Sequence, residues 1–552
     1  MNIFFSGIGG VGIGPLAEIA LDAGYTVQGS DASIGQITKQ LSARGISIST
    51  DQSGAFLDAC NSETPIDWFV YTAALPANHP ELLLAAQLGI KTAKRDELLA
   101  RIIKEKDLQL IAVAGTHGKT TTTGMLIWTL TQLGIPISYS IGTTLSFGPS
   151  GKFTPKSRFF IYECDEFDRN FLHFTPFLSL ITSIDYDHPD TYPTQEEYNH
   201  AFATFLKQSD MEIMWKHDLL RSNTQASEKS WILSDDEVAD IQLPGLHNRQ
   251  NATLVLKALE YLSLGSYELR KNALELFPGT NRRFERLAHN LYSDYGHHPV
   301  EIAATLQLAH EISDKVVLVY QPHQNIRQHE IKDQYTNQFE LAEAVYWLPT
   351  YLSRENPHLS ILSPETLTKH VTNRDIVHFA DLDDTLWNTI RKLTDDGNLV
   401  LLMGAGTIDS WAREQLDTLT IVNIIVRDTN GNFIMQKRDN KPGISNPNMV
   451  TAFGGHVETS DQTLRDAALR ELTEETNLGV SASDLRYFKT YHKTPSTYGE
   501  ESYVTYYLTP PQTITDFKVY EGQGFEIINP NNSLTDVLLS PLMRRVILDY
   551  NA

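Results

Sequence analysis

Leu108-Gln-Leu-Ile-Ala-Val-Ala-Gly115-Thr116-His117-Gly118-Lys119-Thr120-Thr121-Thr-Thr123 is the stretch on which the fold turns. The apolar run from Leu110 to Ala114 predicts a buried strand. It enters a turn built from Gly115 and Gly118, and after the Thr run Gly124-Met-Leu-Ile-Trp-Thr-Leu predicts a helix. Strand, glycine turn, Lys-Thr and helix together make a phosphate cradle: backbone N–H groups and the positive helix end face the anion. Lys119 adds a point charge, and the Thr120 hydroxyl is placed to reach Mg²⁺. The spacing is Gly-x-x-Gly-Lys-Thr, with Val113 where a longer P-loop has its first glycine. Gly-Lys-Thr alone fits an ordinary strand-to-helix turn equally well. The apolar run before it and the Thr run after it favour phosphate binding.

Upstream, Met1-Asn-Ile-Phe-Phe runs into Gly7-Ile-Gly9-Gly10-Val-Gly12-Ile-Gly14, and Leu16 to Ala23 predicts a helix. Tyr25 to Asp31 makes a second strand that ends in an acid. Gly7, Gly9 and Gly12 satisfy G-x-G-x-x-G in a dinucleotide-fold context. Taken alone this predicts NAD, and the diphosphate of a UDP-sugar fits the same loop. Trp68 to Thr72 and Ile90 to Ala93 add strands to that sheet, with His79 in the connection, and Lys104 to Asp107 is a polar hinge.

Downstream, Phe159 to Glu163 delivers Glu163, Asp165, Glu166 and Asp168, and Leu178 to Ile184 delivers Asp185, Asp187, His188 and Asp190. Ligands of parallel α/β sheets sit at the carboxyl ends of strands. Any one of these acid clusters alone is best read as a solvated loop. Their repetition beside Lys119 and Thr120 favours Mg²⁺, with a His completing a second metal site. His247 and Asn251 fit either a nucleotide contact or a helix cap. Beyond a linker near Gly279, Arg283, His298, His323 and Arg327 follow β-like runs and predict a lid over anionic substrates.

At 552 residues the chain exceeds a single core and predicts three or four domains. It is 41% hydrophobic and 20% charged, which is globular. The formal charge of −23 excludes a broad nucleic-acid surface. Cys60 and Cys164 make neither a disulfide framework nor a zinc set. With no basic leader and no apolar run long enough for a bilayer, the expectation is a cytoplasmic enzyme without membrane insertion.

After Leu419 the pattern changes. A hairpin around Asp428 to Gly431 leads to Gly454-Gly455 and then to Arg470-Glu471-Leu-Thr-Glu474-Glu475. Glu471, Glu474 and Glu475 fall at i, i+3 and i+4, one helix face. They are either solvated charge or a divalent-cation site. Tyr491, Tyr498 and Tyr503 are candidates for stacking a base, with strand packing the competing role.

The ordered segments Gly-Ile-Gly-Gly-Val-Gly, Gly-Thr-His-Gly-Lys-Thr, Glu-Cys-Asp-Glu-Phe-Asp, Asp-His-Pro-Asp, Arg-Arg-Phe-Glu, Asp-Tyr-Gly-His-His-Pro, Gln-Pro-His and Met-Gly-Ala-Gly resemble the Mur ligase family over residues 1–415. The C-terminal segment resembles a Nudix hydrolase, with Gly455, Asp461 and Arg470 as its box positions. Asp461 stands for the usual Glu, the gap to Arg470 is one residue longer, and Asn477 replaces a Gly.

The resemblance implies three doubly wound α/β domains and an α+β Nudix domain. They are a UDP-sugar-binding Rossmann-like domain at 1–105, an ATP-binding domain at 106–278, a C-terminal ligase domain at 279–418, and the Nudix domain at 419–552. It implies that the first glycine loop holds UDP, with Gly7, Gly9, Gly10, Gly12, Asp31 and His79 as its residues. The implied reaction joins L-alanine to UDP-N-acetylmuramate through an acyl phosphate, consuming ATP, in peptidoglycan precursor synthesis. ATP would be held by Gly115, Thr116, His117, Gly118, Lys119, Thr120, Thr121, Asn251, Arg283 and Asp294. Thr120 and Glu163 would hold one Mg²⁺ (or Mn²⁺) and His188 a second, with Lys119, His188 and His298 catalytic. Glu471, Glu474 and Glu475 would hold the Nudix metal for hydrolysis of a nucleoside-diphosphate-linked compound. Ser183, His79, Leu246, Gln324, Ile326 and the segment Thr350 to Glu355 depart from the ligase pattern. The alternatives are a ligase that attaches a peptide to the same sugar nucleotide and a degraded nucleotide-binding sensor.

Overall fold

The computed structural model describes the chain apart from residues 73, 189–190, 224, 289, 354, 418–420, 442–445, 459–460, 462, 494–501, 514, 532–536 and 552. The chain divides into two compact units, residues 1–285 with 298–314, and residues 286–297 with 315–552. The expected boundary at 418–419 and Tyr498 lie outside the described residues.

The first unit contains two sheets. In one, the strands Ser47–Ser49, Thr26–Ser30, Asn2–Ser6, Trp68–Tyr71 and Lys91–Lys94 lie in that order, all parallel. Asn2–Ser6 is buried along its whole length, as a central parallel strand must be. The other sheet has the order Ser230–Leu233, Glu212–Trp215, Leu178–Ile181, Gln109–Ala114, Phe159–Glu163, Ile137–Ser140, Gly151–Lys152. Its last strand is antiparallel to its neighbour and the other pairings are parallel. One apolar cluster runs from Ile3 and Phe5 through Leu99 and Ile102 to Ala112 and Phe160, so the two sheets share a core. Gln109–Ala114 lies between the strands that end in Glu163 and Ile181, which brings the cradle and both acid segments to one sheet edge.

The helix after the cradle starts at Lys119, not at Gly124 as the residue pattern suggested. β-Branched threonines are mediocre helix formers, but Thr120, Thr122 and Thr123 are buried against the sheet, and that packing overrides propensity. His247 and Asn251 do not cap their helix. It spans Leu246–Tyr261 with Gly245 at the cap, which places both residues inside it.

The second unit also contains two sheets. One has the order Glu285–Ala288, Leu291–Asp294, Leu399–Met403, Val316–Tyr320, Ala344–Trp347, Val377–Phe379, the last five parallel. The other is mixed, with Val450–Thr451, Phe433–Lys437, Ile421–Asp428, Ser502–Gln512 and Arg486–Lys493 in order. Alternation along Ile421–Asp428 sets its two faces. Val422, Ile424 and Val426 pack on the helix Leu464–Glu475, while Ile425 shares a cluster with Met543 and Ile547 of the helix Pro541–Asn551. The expected α/β architecture with an appended α+β domain is the one observed.

Candidate active site

The cradle closes by direct backbone approach. Gly115 has φ +140° and Gly118 φ +82°, and a Cβ would meet Thr182 Oγ1 at 2.4 Å in the first case and Asn251 Oδ1 at 2.9 Å in the second. The loop amides do not all face an anion. Thr116 N donates to Ser183 O at 2.9 Å and His117 N to Ser183 Oγ at 2.8 Å. The orphan amides of the helix's first turn, those of Lys119, Thr120 and Thr121, remain for a phosphate. The Thr116 hydroxyl is also engaged, bonded to Asp185 O at 2.7 Å.

Lys119 is anchored at the centre. Its Nζ donates to Gly115 O at 2.6 Å and to Glu166 Oε2 at 2.7 Å. Burial works against the ammonium, and Glu166 with Asp165 outweighs it, so the Lys119 pKa is raised. Burial likewise works against the Glu166 carboxylate, but Lys119 and His188 hold its pKa below the usual value. His188 adopts φ +58° and brings Nε2 to 3.5 Å from Glu166 Oε1. Asp165, Glu166 and His188 form a three-residue group with ligand atoms within 4.8 Å of one another. Beside it, Thr120 Oγ1 donates to Glu163 Oε1 at 2.6 Å and Gly142 N to Glu163 Oε2 at 2.7 Å. Two oxygen-rich groups therefore flank Lys119, and this donor chemistry fits Mg²⁺. The expected Thr120–Glu163 pair is brought together. The partners of His188, Asp165 and Glu166, were visible only as members of an acid cluster.

A third group surrounds Glu301, a residue with no role expected from the motifs. His117 Nδ1 lies 3.2 Å from Glu301 Oε1, and Arg283 Nη1 lies 3.9 Å from the same oxygen. Burial would lower the His117 pKa, but Glu301 raises it. His298 caps the helix Pro299–Ile312: its ring accepts from Val300 N, and its own N–H donates to Glu301 Oε2 at 3.0 Å. The rings of His117 and His298 are 5.3 Å apart. The four-residue lid expected from Arg283, His298, His323 and Arg327 is divided. Arg283 and His298 belong to this group, whereas in the second unit Arg327 bonds His297, whose ring is 5.4 Å from His323. His323 in turn stacks on Tyr351 at 5.7 Å. Asp294, expected with Arg283 to bind the nucleotide, accepts from Gly296 N at 2.7 Å.

In the first glycine loop, Gly9 N donates to Asp31 Oδ2 at 2.8 Å, so that acid buttresses the loop. Gly7 has φ +76°, and Gly10 N closes the turn onto Gly7 O at 3.1 Å. His79 precedes the helix Pro80–Gln87 at its cap position, and its Nδ1 is buried without a partner among the described residues.

Glu471, Glu474 and Glu475 have different partners on their helix. Arg470 sits between Glu471, at 2.9 Å, and Glu474, at 3.3 Å. It also grips Asp461 through Nε at 3.1 Å and Nη2 at 2.9 Å, so the longer gap accommodates the shorter acid. Glu475 turns to the sheet instead, accepting from Gly454 N at 2.8 Å and Gln436 Nε2 at 2.9 Å, because the sheet covers that side of the helix. A Cβ on Gly455 would lie 2.5 Å from Glu471 Oε2, so the glycine gives that carboxylate its room. Tyr491 is buried and donates to Asp549 at 2.8 Å, which makes it a packing residue and no platform for a base.

Comparisons with known proteins give four family matches along the chain. Family models match at residues 2–107 (Mur ligase family, catalytic domain), 113–259 (Mur ligase middle domain) and 282–406 (Mur ligase, glutamate ligase domain). A NUDIX domain model matches at 418–527. The UDP-N-acetylmuramate–L-alanine ligase of Acetivibrio thermocellus is 31% identical over 448 residues, 74% of this chain and 94% of that protein. The enzyme of the same name from Burkholderia mallei is 30% identical over 461 residues, 74% of this chain and 96% of that protein. Among solved structures, the UDP-N-acetylmuramate-alanine ligase of Thermotoga maritima superposes with a TM-score of 0.57 at 24% identity, covering 75% of this chain and 98% of that one. A murein peptide ligase from Psychrobacter arcticus gives 0.50 at 22%, with coverage of 75% and 98%. These two show the shared fold.

Proposed function

The chain belongs to the Mur ligase family and carries a Nudix domain, and we propose that it joins L-alanine to the lactyl carboxyl of UDP-N-acetylmuramate with consumption of ATP. The observation that carries the reading is Lys119, ion-paired to buried Glu166 and flanked by the Thr120–Glu163 pair. A carboxylate accepts the γ-phosphoryl group of ATP, and the acyl phosphate is attacked by the amine of the amino acid, releasing phosphate. Lys119 and the first-turn amides neutralise charge developing on the transferring group. Thr120 with Glu163, and His188 with Asp165 and Glu166, would hold the divalent cations, whose part is to offset phosphate charge.

Phosphate release is expected with UDP-N-acetylmuramate, ATP and L-alanine together, and not when any one is omitted. Release with a peptide but with no single amino acid would replace L-alanine by that peptide. Gln324, Ile326 and Thr350 to Glu355 depart from the ligase pattern in the segment expected to choose the amine. No release with either would sink the ligase reading.

His298 separates a capping role from a ring contact. His298→Ala should cost about 1 kcal/mol of stability through the lost cap. His298→Asn keeps a capping side chain but not the ring beside His117. Asn at wild-type stability with turnover lowered at least several-fold is the expected result, and equal turnover would confine His298 to the cap. For the appended domain we propose Mg²⁺- or Mn²⁺-dependent hydrolysis of a nucleoside-diphosphate-linked compound, with Glu471, Glu474 and Glu475 as the metal-binding acids.

A further inference from the structure

Arg95 follows the strand Lys91–Lys94 and opens the helix Arg95–Glu105, where the sequence offers nothing to single it out. Its guanidinium is fixed along one edge. Nε and Nη2 donate to Asp96 at 3.4 and 3.2 Å, and Nη2 donates to Tyr162 Oη at 3.1 Å. Tyr162 donates to Asp96 in turn, so the three side chains form a closed triangle. The Asp96 side chain is 4% exposed and that of Arg95 34% exposed, so the anchor is buried while the cation is not. Nη1 makes no hydrogen bond among the described residues. It lies 3.2 Å from the position a Cβ on Gly12 would take.

The open edge of a held guanidinium thus meets the third glycine of the first loop. Gly12 leaves room for the guanidinium beside the loop, and the Nη1 N–H groups are charge-assisted donors of the kind that bind phosphate oxygens. We propose that Arg95 binds the diphosphate of the UDP-sugar through Nη1, with Tyr162 and Asp96 as its positioning residues. This rests on the reading of the first glycine loop as the UDP-sugar site. It has a consequence for the reaction: Tyr162 immediately precedes Glu163, which holds Thr120. One tyrosine therefore links the diphosphate to the strand that serves the ATP cradle.

Titration calorimetry of the full chain with UDP and with UDP-N-acetylmuramate tests this. Wild type should bind both. Arg95→Ala should raise Kd for the two ligands by the same factor, about 10- to 100-fold, the worth of one or two charge-assisted hydrogen bonds. Arg95→Lys should recover part of the loss. ATP binding and far-UV circular dichroism should not change, and if Arg95→Ala does not fold, Arg95→Gln replaces it. Tyr162→Phe should weaken UDP binding several-fold in the wild-type background and not at all in Arg95→Ala, which a merely structural tyrosine would not do. Unchanged Kd in folded Arg95→Ala overturns the assignment, as does a loss confined to UDP-N-acetylmuramate with UDP unaffected. If wild type binds neither ligand, the reading of the glycine loop falls and Arg95 falls with it.

Discussion

Lys119→Ala should lower ATP-dependent ligation by about 10²- to 10³-fold or more, the effect of removing one preorganised charge from a transition state. The same substitution should destabilise the first unit. Glu166 is fully buried, and without Lys119 it keeps, among the described residues, His188 at 3.5 Å as its charged partner. Breaking a buried pair from one side costs about 3 to 5 kcal/mol. In wild type the Glu166 pKa is depressed, so its contribution to stability is present above the unfolded value and is lost as pH falls through the folded one. In Lys119→Ala burial dominates and the pKa rises. The folded state then binds a proton the unfolded chain has released, and stability is lost as pH rises. Thermal melts at pH 5 and pH 8 should therefore show the larger deficit at pH 8. Adding Glu166→Gln should restore the melting temperature without restoring turnover. Wild-type ligation by Lys119→Ala would end the assignment, and recovery of turnover in the double variant would show that Lys119 serves folding alone.

The parts of this site legible in the sequence are those where a local pattern names a geometry. A glycine turn between strand and helix puts Lys119 at the helix start, and apolar runs carry Glu163 and His188 to one sheet edge. What the sequence hid depends on chain reversals that no local pattern encodes. Glu166 meets Lys119 from the loop after the strand Phe159–Glu163, just before a sharp turn with φ of +52° at Asp168 and +58° at Arg169. Glu301 gathers His117 and Arg283 because His298 caps the helix that carries it. Arg95 is in sequence an ordinary basic residue at a helix start, and only the fold sets it beside Gly12. The spacing of Glu471, Glu474 and Glu475 fixed a helix face but not which carboxylate the sheet would cover. That is decided by Gly454 and Gln436, on strands distant in sequence.

Glu475→Gln should abolish hydrolysis by the Nudix domain while making the protein more stable at alkaline pH. Burial pushes the Glu475 pKa up to about 7, against hydrogen bonds from Gly454 N and Gln436 that favour the carboxylate. A carboxyl must be ionised to hold a cation, so the affinity for Mg²⁺ or Mn²⁺ should rise with pH up to about 7 and then level. Stability moves the other way. Between the ordinary 4.5 and about 7 the folded chain keeps a proton that the unfolded chain has lost, so stability falls as pH rises across that window. The loss is up to about 3 kcal/mol. The amide cannot ionise, so this penalty vanishes once the Gln436 side chain turns to offer its oxygen. The variant should melt above wild type at pH 8 and by much less at pH 5. Its hydrolysis of a panel of nucleotide sugars and dinucleotides with Mg²⁺ or Mn²⁺ should fall by at least about 100-fold, as when an ionisable catalytic group is removed. A melting difference that is the same at both pH values would remove the buried carboxyl from the account. An unchanged rate would move the metal to Glu471 and Glu474, where Arg470 would have to give way to it.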